Sequence, residues 1–269
     1  MSIHVSLALQ GLIDPALAGR ELLLRHAVER YLGILDGVEI GFFVDQLDQY
    51  VAAFAAPGIR EALAQFSCNS LHMVSRLGQA ADDEMLIRGV ALAGELYAQG
   101  VIGHASVHLD MASQATRAAS LAESSLVLLF ENTDSSADVG NTLEECKAAL
   151  VRYPGRGIVL DYAHALEMEQ AGGSGPEHYV RHLGDAVRQI HFSWPGNLYP
   201  EHLVGPDFST RHSMLHLDPA NAKDAARRLC GARPSVVTIE GVVPAGPEGE
   251  AMVRREAALI HSIFNGRSA

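Results

Sequence analysis

A chain of 269 residues, 48% of them hydrophobic and with a formal charge of −12, can bury a sizeable core and has no broad basic surface for following a phosphate backbone. That balance argues against a nucleic-acid partner and favours small or neutral ones, although a bound cation could still draw in an anionic substrate locally. The three cysteines, Cys68, Cys146 and Cys230, are far apart, form no C-x-x-C pair and read as buried thiols of a reducing compartment. No apolar run approaches the roughly 18 residues of a membrane span, and the opening Met-Ser-Ile-His-Val-Ser carries no basic leader. A cytoplasmic protein without a membrane segment is expected.

In chain order, β-type runs fall at 3–9, 37–43, 67–72, 101–108, 126–131, 157–161, 187–192 and 235–240, alternating with amphipathic stretches. That alternation is the pattern of a parallel sheet, and eight units in this length suit a closed barrel. Helix signals lie between the runs. Asp14-Pro15 and Asp218-Pro219 each offer an N-cap with proline at the first helical position. Leu86, Val90, Ala93 and Tyr97 form an apolar face ahead of a terminating Gly100, Thr142 with Glu145 is a capping-box pattern, and Val253, Ala257, Ile260 and Phe264 form a second face. Gly172-Gly173-Ser174-Gly175 lacks the spacing and the lysine of a phosphate loop and reads as a turn before the sixth helix. The longest irregular stretch, 193–218, follows the seventh run, and loops of that length inside compact domains are usually functional. The expected architecture is α/β, a single (β/α)8 TIM barrel forming one domain over residues 1–269.

A parallel barrel brings its strand C-termini to one rim, and here the runs end on metal-type side chains: His72, His108, Glu131, Asp161 followed by His164, His191 and Glu240. Taken singly, an Asp or Glu after a strand reads as a helix cap or a solvated loop charge. Four consecutive carboxylate or imidazole ends on a shared rim read as a divalent-metal site, since unpaired buried carboxylates are costly, and the O and N donors suit Zn, Mn or Fe. His104 competes with His108 and reads as a hydrogen-bonded core histidine, and His4 is a further candidate. His26, His178, His182, His202 and His261 read as surface groups. Trp194 and Tyr199 could stack on a base or sugar ring, or simply anchor their loop. No Walker loop, dinucleotide fingerprint, H-E-x-x-H or G-x-S-x-G elbow is present.

These residues resemble the endonuclease IV branch of the xylose-isomerase-like TIM-barrel superfamily, nearly end to end. The likeness runs through His4-Val5-Ser6, Glu131-Asn132-Thr133 with Gly140 and Glu144-Glu145, Leu160-Asp161-Tyr162-Ala163-His164-Ala165, Ile190-His191, Arg211-His212 and Ile239-Glu240. The resemblance implies two or three ions: a first on His72, His108 and Glu131, a second on Glu131, Asp161, His191 and Glu240, a third on His164 and His212. The family's third ion also takes an aspartate two residues before that last histidine. Here the position is Thr210, so either the site is lost, or Asp207 replaces the aspartate, or the loop serves another substrate.

Two chemistries fit such a rim. The first is hydrolysis of a phosphodiester in a small nucleotide-like metabolite by a metal-held hydroxide, with Glu131, Glu240, Arg211 and His164 as the catalytic candidates and Arg211 steadying the phosphate. The second is proton transfer on a sugar or hydroxy-ketone through an enediolate, an isomerase or epimerase reaction that needs one ion. The histidines and the Glu-Asn-Thr element favour hydrolysis of a small phosphate-containing substrate. An AP-site DNA endonuclease and a non-catalytic metal-binding barrel are the remaining alternatives.

Overall fold

A computed structural model describes residues 3–14, 17, 19–43, 46–74, 83–101, 107–110, 127–137 and 140–265. Eight parallel strands close into a barrel: β1 His4–Ala8, β2 Gly37–Phe43, β3 Cys68–Val74, β4 Val107–Asp110, β5 Leu128–Glu131, β6 Gly157–Asp161, β7 Val187–Phe192 and β8 Val236–Ile239. Each pairs with its neighbour in sequence, and β1 pairs with β8 through His4 opposite Val236 and Leu7 opposite Ile239. The α/β barrel expected from the strand–helix alternation is therefore the fold, and Ile158, Val159 and Leu160 are fully buried, as a strand covered on both faces requires.

Several local signals act as expected. Asp218 caps the helix Pro219–Arg228 by accepting from Ala220 N at 2.8 Å. Thr142 and Glu145 form both halves of a capping box on Leu143–Arg152. Val253, Ala257 and Ile260 are buried along the last helix, Pro247–Phe264. Gly172 takes a φ of 88°, and the turn it opens leads to the helix Pro176–Leu183. No described helix is long and apolar enough to cross a membrane.

Two expectations are corrected, at Val101 and at Cys230. Of the expected fourth run, 101–108, Val107 and His108 lie in β4 and Val101 is a turn residue, while residues 102–106, His104 included, lie outside the described residues. Val101 instead completes the cap of the helix Asp83–Ala98: its N–H donates to Leu96 O at 2.9 Å and Gly100 N–H to Tyr97 O at 3.0 Å. This is the paired bond set of a Schellman motif, whose last residue is usually hydrophobic. At the expected Asp14-Pro15 start, Asp14 O accepts from Leu17 N at 2.9 Å, and Pro15 lies outside the described residues; the first described α-helix, Arg20–Tyr31, starts from Gly19. Cys230 is exposed, unlike Cys68 and Cys146.

The 193–218 stretch is built rather than loose. Trp194-Pro195 pairs antiparallel with His212-Ser213. The buried Tyr199 donates its hydroxyl hydrogen to Val242 O and accepts from Met214 N at 3.2 Å, so it anchors the loop and offers no open ring face.

The barrel interior holds a polar chain where bulky branched residues usually pack. Ser6 Oγ meets Thr238 Oγ1 at 2.8 Å, Gln189 Nε2 donates to Thr238 Oγ1 at 2.8 Å and to Glu39 Oε2 at 2.7 Å, and Ser70 Oγ donates to Glu39 Oε2 at 2.9 Å. All five residues are buried. Directly above this floor lies the rim.

Candidate metal centre

Glu131 and Asp161 are the last residues of β5 and β6, His191 lies one residue before the end of β7, and Glu240 directly follows β8. Strand register puts Asp161 opposite His191, and Glu240 is held by its N–H on Phe192 O at 3.3 Å. One ligand atom from each of Glu131, Asp161, His191 and Glu240 falls within 4.8 Å of all the others. His191 Nδ1 is their hub, 2.9 Å from Glu131 Oε1, 3.5 Å from Glu240 Oε1 and 3.9 Å from Asp161 Oδ2. His72 Nε2 adds a contact of 2.8 Å to Glu131 Oε2.

Asn132 explains why an amide follows the first glutamate. Its Oδ1 accepts from Asp161 N at 2.7 Å and its Nδ2 donates to Asp161 O at 3.1 Å, clipping the ends of β5 and β6 together. Asp161 Oδ1 caps the helix Tyr162–Gln170 through His164 N at 2.8 Å, while its Oδ2 makes no hydrogen bond. Glu240 Oε2 likewise makes none.

Charge completes the case for a cation. Glu39, Glu131 and Asp161 are buried and the Glu240 side chain is 11% exposed, while no lysine or arginine is among the buried polar side chains of the described residues. Such a concentration of carboxylates is unfavourable unless positive charge is brought to it. Carboxylate and imidazole donors with two carboxylate oxygens lacking a hydrogen bond fit a divalent ion of the Zn, Mn or Fe(II) type.

Other expected ligands are arranged differently. His108 pairs in register with His72, and its side chain lies outside the described residues. His164 and His212 lie near each other, ring centroids 5.8 Å apart, but His164 Nδ1 bonds Asn132 O at 3.0 Å and His212 Nδ1 bonds Ser193 Oγ at 2.9 Å. Thr210 turns its Oγ1 onto its own loop, accepting from His212 N at 3.0 Å, and Asp207 is exposed. The carboxylates beside His164 and His212 belong to the four-residue cluster, Asp161 Oδ2 3.3 Å from His164 Nδ1 and Glu240 Oε2 3.4 Å from His212 Nδ1, and among the described residues the two histidines join no further ligand group. Arg211 is committed as well: it pairs with Glu167 through Nε at 3.2 Å and through Nη2, and Nη2 is also 2.9 Å from Asp134 Oδ2. His4 lies at the opposite end of the barrel, 3.9 Å from Asp36.

Glu39 was not singled out in the sequence, yet it joins His72 and His191 in a second buried cluster. Its signal was a carboxylate in the middle of the apolar run Gly-Val-Glu-Ile, between the buried Val38 and Ile40.

Proton affinities follow from these surroundings. Burial opposes charge on His191, but Glu39, Glu131 and Glu240 raise its pKa well above the ordinary histidine range. His164 is pushed up to about 9, burial again being outweighed by Asp161, Glu131 and Glu240. Glu240 is raised well above the usual carboxylate range by burial and then by Asp161 and Glu131, with His191 and His164 opposing. His212 is lowered, first by burial, with His164, His191 and Arg211 adding to the effect against Asp161. A raised pKa means a proton kept to higher pH, and a cation binding at these groups must displace it. Binding of a divalent ion should therefore release protons and tighten as pH rises from about 6 towards about 8. Calorimetry in buffers of different ionisation enthalpy measures this, and a binding constant flat across that range would contradict it.

No family profile matches the chain, and no curated protein matches it. Among solved structures, endonuclease IV from Thermus thermophilus aligns with a TM-score of 0.64 at 21% identity, covering 96% of this chain and 99% of that one. D-allulose 3-epimerase from Methylomonas sp. gives 0.63 at 16%, covering 97% of each chain. A xylose isomerase domain protein from Alicyclobacillus acidocaldarius gives 0.60 at 14%, covering 98% and 99%. At these identities the likeness is one of fold: the chain is a TIM barrel, similar in fold to an endonuclease IV, a D-allulose 3-epimerase and a xylose isomerase domain protein.

Proposed function

We propose that residues 1–269 form one domain, a metal-dependent isomerase or epimerase that moves a proton on the carbon beside the carbonyl of a small hydroxy-ketone. One divalent ion would be held by Glu131, Asp161, His191 and Glu240. The observation that carries this reading is the closure of these four side chains around one point, with ligand atoms within 4.8 Å of one another; the carboxylates beside His164 and His212 are Asp161 and Glu240 of this same set, at 3.3 and 3.4 Å. Such an ion supplies Lewis-acid polarisation of a chelated carbonyl and hydroxyl. Glu131 and Glu240 flank the same point, so either carboxylate can take the carbon-bound proton and return it. His72, 2.8 Å from Glu131 Oε2, steadies the first of them. The sequence favoured phosphodiester hydrolysis; the pairing of Arg211 with Glu167 and Asp134 takes away the cation that would meet a phosphate, which supports the proton-transfer reading instead.

A second reading, hydrolysis of a small phosphodiester, keeps one specific support: the close approach of His72 to Glu131, which would let Glu131 bridge to a further ion. The two are separated by incubating the Mn-loaded protein with a panel of ketoses in D2O and, in parallel, with bis(p-nitrophenyl) phosphate. Deuterium entering the substrate carbon beside the carbonyl, and absent with Glu240→Gln, is expected. Turnover of the phosphodiester without exchange into any ketose would overturn the isomerase assignment in favour of the hydrolase.

A further inference from the structure

Beneath the rim, His191 has a carboxylate partner at each ring nitrogen. Nδ1 faces the Glu131, Asp161 and Glu240 group, whereas Nε2 faces the floor, 3.2 Å from Glu39 Oε1 and 3.2 Å from Glu39 Oε2. A neutral imidazole donates from one nitrogen and accepts at the other. Glu39 can only accept when ionised, and it is held in place by donors: Ser70 Oγ at 2.9 Å and Gln189 Nε2 at 2.7 Å. Gln189 is oriented in turn, because its other Nε2 hydrogen goes to Thr238. It stands two residues before His191 on the same strand, so both side chains point into the barrel.

From this arrangement we infer that Glu39 is a positioning residue for the ion site, fixing His191 as the tautomer protonated on Nε2 and so presenting the Nδ1 lone pair to the cation. A buried negative partner behind an imidazole also increases the donor strength of the far nitrogen, and loss of such partners typically weakens metal binding about 10- to 100-fold. The four interior residues Ser70, Gln189, Thr238 and Ser6 are then the frame that keeps Glu39 aimed at His191. The inference rests on the ion site proposed at Glu131, Asp161, His191 and Glu240.

The test uses full-length protein labelled with 15N-histidine and loaded with Zn, compared with Glu39→Leu, which removes the acceptor, and Glu39→Gln, which keeps an acceptor without charge. Long-range 1H–15N spectra identify the protonated nitrogen of His191, and competition with a chromophoric chelator gives the Zn affinity. The expected result is a proton on Nε2 in the parent protein, an affinity lower by about 10- to 100-fold in Glu39→Leu, and a smaller loss with the same tautomer in Glu39→Gln. Should Glu39→Leu fail to fold, the parent tautomer and the Glu39→Gln affinity decide. A proton on Nδ1 of the Zn-loaded parent, or parent-like affinity in every folded variant, overturns the role of Glu39 while leaving the ion site standing. A parent protein that binds no Zn at all overturns the site and this inference together.

Discussion

Glu131→Gln and Glu240→Gln are each expected to lower divalent-ion affinity by more than about 100-fold, a larger effect than losing an outer partner of a ligand, and to abolish activity. Neither should unfold the barrel. Both residues sit at the open end of strands whose apolar core is intact without them. In the ion-free protein each carboxylate lies among others of the same sign, and for Glu240 burial and the charges of Asp161 and Glu131 raise the pKa well above the usual range. For Glu240 an amide of the same shape relieves that repulsion, so ion-free Glu240→Gln should melt at or above the ion-free parent, whereas Glu131→Gln also loses the close pairing with His191 and His72 and should melt lower than Glu240→Gln. Elemental analysis of dialysed protein, chelator titration and thermal melts read these three quantities. Full ion content in both variants would refute the ligand assignment.

Glu256→Ala should be the most damaging of the changes away from the rim. Glu256 lies on the last helix with no exposed surface and accepts from Leu215 N at 2.8 Å, His216 N at 2.9 Å and His216 Nδ1 at 2.7 Å. Its carboxylate thus ties the end of the 193–218 loop to the barrel wall. Truncation leaves Leu215 N, which is buried, and His216 N without acceptors, each worth about 1–3 kcal/mol, so about 2–6 kcal/mol in all. In a chain of this size that corresponds to a fall in melting temperature on the order of 10 °C. Glu256→Gln, which retains one acceptor oxygen, should recover part of it. A melting temperature within about 2 °C of the parent in Glu256→Ala would contradict this account of the loop.

The barrel was legible in the sequence because the strands are short apolar runs and several helices between them, such as Leu143–Arg152 and Pro219–Arg228, carry their own start signal. The rim was legible for the same reason: a polar donor that terminates an apolar run marks where a strand emerges, and in a parallel barrel those points converge. What escaped was whatever depends on partners far apart in the chain. Arg211 reads from the sequence as a cation without a partner, and its pairing with Glu167 on the helix Tyr162–Gln170 and with Asp134 after β5 depends on residues distant in the chain. Glu39 looks like a stray polar residue in a strand until barrel closure brings it to His191, 152 residues away. Val101 reads as part of the fourth strand because a hydrophobic residue completing a helix cap has the same local composition as a strand beginning. Thr210 was recognised as a departure from the family pattern, and its hydroxyl bond to His212 N gives that departure its physical content: the side chain closes a local turn rather than facing the rim.

The most direct measurement is a crystal structure of the protein soaked in Mn, with the ions located by anomalous scattering. One strong peak per chain, within bonding distance of Glu131, Asp161, His191 Nδ1 and Glu240, is the expected result. Those four side chains lying too far apart to share an ion, or manganese bound elsewhere with their cluster left empty, would contradict the metal centre on which the proposed chemistry stands.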